Sequence, residues 1–237
     1  MWEWLLSPID AAAPHAVGFS VAWHGRFMVL AWGILAPLAV VFARYFKVMP
    51  GQDWPRELDN QTWWRAHWIG QMVVMGLSVT ALVLVLPLQW AEPNVHGILG
   101  LVVLVALVIQ VLLGLFRGSK GGPTARADDG TLSGDHYDMT PRRRAFETLH
   151  KSIGYGVLVL GAVTIIYGLL HANGPNWMWI VLVLWWAGLV ACSVIFERRG
   201  MAVPSYQAIW GDDPAHPGNT ADTRATLHNQ MNRIRNH

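Results

Sequence analysis

The sequence predicts an all-α membrane protein with five transmembrane helices, and three observations carry that prediction. Of its 237 residues, 53% are hydrophobic and only 14% charged, against roughly 25% charged in an ordinary soluble domain. Charged residues are costly at bilayer depth, and here they are separated by apolar gaps of the ~20 residues that one crossing needs. Those gaps also lack the period-two alternation of a barrel strand, which disfavours a β-barrel.

Taken in order, residues 1–19 form an N-terminal segment. A first helix near 20–46 contains the gap from Arg26 to Arg44. Pro37 lies inside it, removes a backbone donor and predicts a kink. A second helix, near 66–89, occupies the gap from Arg65 to Glu92, and a third, near 95–116, the gap from Glu92 to Arg117. The last gap, Lys151 to Glu197, is too long for one ~30 Å crossing. It is broken by His171-Ala-Asn-Gly-Pro-Asn176, a turn sequence, so it divides into helices near 147–171 and 176–198. Residues 200–237 read as a polar tail without a clear fold.

Lys and Arg counts orient the chain. Residues 1–25 and the connections 89–95 and 171–176 contain none, whereas 44–65, 117–151 and the segment from Arg198 onward contain all but Arg26. This predicts an outer N-terminus and a cytoplasmic C-terminus. No basic run precedes the first helix, so no cleavable signal peptide is expected. The 17 basic and 15 acidic side chains are too balanced for a nucleic-acid surface. Tryptophans at predicted helix ends (Trp23, Trp63, Trp64, Trp90, Trp177) fit an interfacial belt.

His24, His67, His96 and His150 lie near the N-terminal ends of the first four helices. Consecutive helices run in opposite directions, so His24 and His96 fall near the outer face and His67 and His150 near the inner face. One tetrahedral zinc would need its ligands at a single depth. Two planar macrocycles, each with one imidazole above and one below an iron, fit the two pairs. We therefore expect two haems b. The lone Cys192 permits no Cys-x-x-Cys-His attachment, so the haems would be held without covalent bonds. Gly70, Gly100 and Gly154 follow His67, His96 and His150 on the same helix faces; either porphyrin approach or close helix packing accounts for them. Met28, four residues after His24, reads as core.

The stretch from His24-Gly-Arg-Phe-Met28 to Pro37-Leu38, continuing to Ala43-Arg-Tyr-Phe-Lys47, resembles the first core helix of the cytochrome b561 family, in the form linked to DOMON domains. Trp64-Arg-Ala-His67 with Gln71, His96-Gly-Ile-Leu-Gly100 with Gln110 and Gly114, and His150-Lys-Ser-Ile-Gly-Tyr155 add to the resemblance, which covers residues 20–200. It implies a helical bundle with two haems b, ligated by His24 with His96 and by His67 with His150, and electron transfer across the membrane, often from ascorbate to ferric iron or monodehydroascorbate. The chain departs from the family in having no DOMON domain and five helices where the ascorbate-linked animal members have six, which leaves a quinol or protein donor open.

Haem propionates are anionic and want basic neighbours. Arg44, in the matched stretch, is the inner candidate; Arg26 is the outer one, although two residues from His24 it points off that histidine's face. Arg44, Lys47, Arg65 and Lys151 equally serve as the topology signal. The connection 117–146, with Arg142-Arg-Arg144, His136 and Tyr137, reads as a solvated loop or as one wall of a donor site. His171 reads as interfacial, and His15, His216, His228 and His237 receive no role.

The expected architecture is thus a transmembrane domain over residues 20–199, made of a four-helix haem-binding bundle core and a peripheral fifth helix. The expected function is that of a diheme b-type electron-transfer protein in a bacterial plasma membrane, linking reactions at the two faces. Its partners would be the lipid bilayer and a small-molecule or protein electron donor and acceptor, with room for a second copy or a partner subunit. The alternative is a haem-binding membrane anchor or assembly subunit of a larger redox complex. A metal-ion transporter is disfavoured because no helix interior carries acidic residues.

Overall fold

A computed structural model describes residues 2–13, 17–87, 94–117, 141–216 and 218–219. Its helices are α1 (Trp2–Leu6), α2 (Phe19–Tyr45), α3 (Thr62–Val85), α4 (Val95–Leu115), α5 (Pro141–His171), α6 (Asn176–Arg198) and α7 (Ser205–Trp210). Helices α2 to α6 are the five long and apolar enough to cross a membrane. Among the described residues there is no β-strand, only an isolated bridge between Pro8 and Pro175.

Helix α5 starts at Pro141, six residues before the expected boundary, because proline suits a first turn and a ladder supports that turn. Glu147 pairs with Arg143 at 3.3 Å and with Lys151 at 2.9 Å, both at i,i+4 spacing. The run Arg142–Arg144 therefore lies on a helix and not in the connection. Residues 118–140, with His136 and Tyr137, lie outside the described residues, as do Trp90, His15, His228 and His237.

Helix α2 is interrupted as Pro37 predicts, but the device is a π segment rather than a simple kink. Residues Val29–Leu35 have π geometry between α-helical Phe19–Met28 and Ala36–Tyr45. In an α-helix the Gly33 carbonyl would receive the amide of residue 37, which proline lacks. Trp185 and Trp186 of α6 donate their indole N–H groups to that carbonyl instead, at 2.8 and 3.3 Å. A backbone acceptor that lipid could not satisfy is thus satisfied by the neighbouring helix.

The bundle consists of two antiparallel hairpins, α2–α3 and α4–α5. They meet at a core built around Trp32 of the π segment, with Ala31, Val74, Val103, Leu107, Val157 and Ile165. Gly161 lets Trp32 approach α5, since a Cβ there would lie 3.1 Å from the indole. The Trp32 indole N–H donates to the Ser78 hydroxyl at 3.0 Å, and Ser78 in turn donates to the Val74 carbonyl at 2.7 Å. Met28 packs against this core.

Helix α6 lies beside the four and is latched to the chain around α2 at three levels. Asn176 donates to the Trp4 carbonyl at 2.9 Å, Trp185 and Trp186 reach Gly33, and Glu197 meets Arg44. At the α5–α6 turn Asn173 takes a left-handed φ of 47°, which asparagine tolerates. Its side chain bonds the backbone of Asp10 and Ala13 at 2.9 to 3.0 Å, fastening the N-terminal segment to this turn.

After α6 the chain folds back as α7, whose Tyr206, Ile209 and Trp210 are buried together. Asp59 donates its amide to the Ala208 carbonyl at 3.1 Å, and Trp54 its indole N–H to Gln207 at 3.4 Å. The described part of the tail is therefore packed onto the connection between α2 and α3.

The double variant Trp185→Phe/Trp186→Phe keeps the aromatic volume but removes both donors to Gly33. At about 0.6 kcal/mol per membrane hydrogen bond, it should lower the stability to detergent unfolding by roughly 1 kcal/mol, measured by titration with sodium dodecyl sulfate.

Candidate functional site

The four histidines converge as two pairs. His24 of α2 faces His96 of α4 with ring centroids 6.0 Å apart and planes at 83°. His67 of α3 faces His150 of α5 at 6.1 Å and 80°. Each pair joins one hairpin to the other, and the antiparallel packing puts the pairs at opposite ends of the bundle.

Three of the rings are held by the same device. His24 Nδ1 lies 2.9 Å from the Ala81 carbonyl oxygen, His67 Nδ1 3.1 Å from that of Ala39, and His96 Nδ1 3.0 Å from that of Thr164. A carbonyl can only accept, so Nδ1 carries the proton and Nε2 keeps its lone pair. The acceptor always belongs to the antiparallel partner helix: α3 for α2, α2 for α3, α5 for α4. The fourth ring differs. Among the described residues His150 Nδ1 is buried with no hydrogen-bond partner, and so is Oε1 of Gln110, whose Nε2 donates to the His150 backbone carbonyl at 3.0 Å.

Glycines let the helices approach these acceptors. A Cβ at Gly70 would lie 3.0 Å from the Ala39 methyl, one at Gly100 4.0 Å from Thr164 Cγ2, and one at Gly154 3.6 Å from Gln110 Nε2. Of the two readings open for these residues, the contacts are those of helix packing. Gly168, which sequence reasoning missed, is more demanding, since its Cβ would fall 2.8 Å from His96 Cε1. It lies one turn beyond Thr164, the acceptor for that ring, a relation visible only once Thr164 is known to face His96.

The residues fit haem b. Two imidazoles bonded to one metal at about 2.0–2.1 Å stand with centroids roughly 6 to 6.5 Å apart, as both pairs do. Among the described residues no group of three or more His, Cys, Asp or Glu converges. Two-ligand sites of this kind suit an iron whose other four positions a macrocycle fills.

Comparison with known proteins agrees. The family profile described as "Eukaryotic cytochrome b561" matches residues 23–120. A Drosophila melanogaster protein named putative ferric-chelate reductase 1 homolog is 31% identical over 184 residues, 76% of this chain and 25% of its own length. Human ferric-chelate reductase 1 is 25% identical over 87% of this chain and 32% of its own length. The chain belongs to the cytochrome b561 family. Membership implies haem b as cofactor and supports transmembrane electron transfer in a multi-pass membrane protein. The chain spans a third or less of the length of these relatives, which are animal proteins and lend no support to a bacterial membrane. No solved structure matches it significantly.

At the His67–His150 end of this cytochrome b561 chain Arg44 is already engaged. Arg44 forms an ion pair with Glu197 of α6 and donates to the hydroxyls of Tyr45 and Tyr155 at 3.2 and 3.1 Å. At the other end Arg26 lies over the Trp23 ring, 4.9 Å from its centroid. Lys47 is buried, and its ammonium donates to the carbonyls of Val203 at 2.8 Å and Arg44 at 3.3 Å. It ties the segment before α7 to the end of α2. Desolvation, with the positive charges of Lys151 and Arg44 behind it, pushes Lys47 down to about 8.

The unfolded chain holds that proton up to the ordinary lysine value of 10.5, whereas the folded chain releases it near 8. The unfolded state therefore binds more protons between these values, and stability rises with pH across that window. The Lys47→Met variant should lose this rise, at most about 3 kcal/mol, in unfolding curves recorded from pH 7.5 to 10.5.

Proposed function

We propose that the protein is a diheme b-type cytochrome that carries electrons between reactions at the two membrane faces, with the acceptor a ferric chelate. The observation that carries this reading is the pair of facing imidazole couples, one near each end of the bundle, with ring centroids 6.0 and 6.1 Å apart, separations at which two imidazoles could hold one haem. Haem b would supply a reversible one-electron iron couple at each site. His24 and His96 would hold the outer haem, and His67 and His150 the inner one. The relatives' printed name makes ferric chelates the first acceptor to test.

The chain's own residues have definable tasks in this reading. Nδ1–H bonds to Ala81, Ala39 and Thr164 fix the tautomer and would leave Nε2 of each ring free to hold a haem. The core around Trp32 would keep water from between the two sites. Arg26 and Arg44 are the bases proposed for the propionates, Arg44 sharing its guanidinium between a propionate and Glu197. The distribution of Lys and Arg supports an outer N-terminus and a cytoplasmic C-terminus, and with it a cytoplasmic donor and an outer acceptor across a plasma membrane.

A pyridine haemochrome assay on purified protein should give two haems b per chain. His67→Ala and His150→Ala should each leave one, with the double variant losing no more; His24→Ala and His96→Ala should each remove the other. A loss pattern that links His24 to His67 overturns the pairing. Gly168→Ile, by displacing the His96 ring, should behave as His96→Ala. Vesicles loaded with reductant should then reduce an external ferric chelate; a two-haem protein that fails with every donor and acceptor is instead an anchor subunit.

A further inference from the structure

The two hairpins repeat one geometry, and the repeat predicts a partner for the one ring of the four that has none among the described residues. The acceptor for His24 is Ala81, fourteen positions after His67 on α3; the acceptor for His96 is Thr164, fourteen after His150 on α5. The acceptor for His67 is Ala39, fifteen after His24, and α2 is the helix that contains the π segment, between those two residues. A π turn accommodates one extra residue, so all three relations are the same register. Applied to α4, which has no such insertion, the register counts fourteen positions from His96 and arrives at Gln110.

The glycine contacts give the same answer independently. Gly70 packs on Ala39, the acceptor for His67, and Gly100 packs on Thr164, the acceptor for His96. Gly154, in the corresponding place after His150, packs on Gln110. The Gln110 amide is therefore next to α5, and its Nε2 is already bonded to the His150 backbone. The two buried orphan atoms at this site are complementary: an acceptor, Gln110 Oε1, and a ring nitrogen that donates as the Nδ1–H tautomer, on His150.

We infer that Gln110 is the positioning residue of His150, its Oε1 accepting the Nδ1–H bond that a main-chain carbonyl accepts from each of the other three rings. The inference rests on the diheme reading above. Three ligands are then oriented by backbone, which substitution cannot remove, and the fourth by a side chain. The inner haem is the one whose ligand basicity a single residue sets. An accepted Nδ1–H bond pushes electron density onto Nε2 and favours the ferric state.

The test is a redox titration of the full-length protein, followed optically and by low-spin ferric electron paramagnetic resonance. A His96→Ala background, which keeps only the inner haem, assigns the signals. Gln110→Leu should shift the reduction equilibrium of the inner haem about tenfold toward the ferrous state, roughly 59 mV for a one-electron couple, and change that haem's resonance alone. Gln110→Glu, a stronger acceptor, should shift it the opposite way. Loss of the inner haem from Gln110→Leu with retention and lowered potential in Gln110→Glu also supports the assignment. Unmoved potentials, equal movement of both haems, or loss of the inner haem from both variants overturns it. Wild-type protein with fewer than two haems defeats the diheme reading itself, an outcome distinct from two haems that ignore Gln110.

Discussion

The constraint on which the rest of the structure depends is that a histidine in a membrane helix has two nitrogens, and both need an assignment. One must stay free for the site between the hairpins, so the other must be satisfied by the protein in a medium that offers no water. Helix α2 and its partner α3 meet this need reciprocally, each giving a main-chain oxygen to the other's ring at 2.9 to 3.1 Å. The bond fixes the axial rotation and the longitudinal register of the helices together. It also accounts for the small residues at 39, 70 and 100, since a main-chain oxygen is reached only where two backbones come close.

The π segment follows from competing demands on α2. This helix must present His24 to one pair, the Ala39 carbonyl to the other, and the Trp32 indole to Ser78 between them. The extra residue changes the rotation between its two ends, and Pro37 resumes α geometry at the cost of a donor. That loss is made good by Trp185 and Trp186. The peripheral helix thus contributes to the bundle core without a histidine of its own.

Much of this was legible in the residues. Charge spacing gave five helices, and helix parity turned four histidines into the two pairs that face each other at 6.0 and 6.1 Å. The carbonyl acceptors were not legible, because every residue carries one and only the fold selects Ala39, Ala81 and Thr164. Gly168 was hidden for the same reason. The start of α5 was misplaced because Arg142–Arg144 look like loop until Glu147 is seen to pair with Arg143 and Lys151. In the tail, Tyr206, Ile209 and Trp210 are too few to announce a core; it is the 46–61 connection that completes it.

The latching of α6 also bears on how the protein is made. Helix α2 is made before α6, so it is made with the Gly33 carbonyl unmet, and its Arg44 arrives without its carboxylate. The donors and the acid are on α6, four crossings later in the chain. Helix α2 is therefore completed only when α6 arrives, and until then the nascent bundle exposes a polar defect of the kind a membrane chaperone or quality-control protease can read.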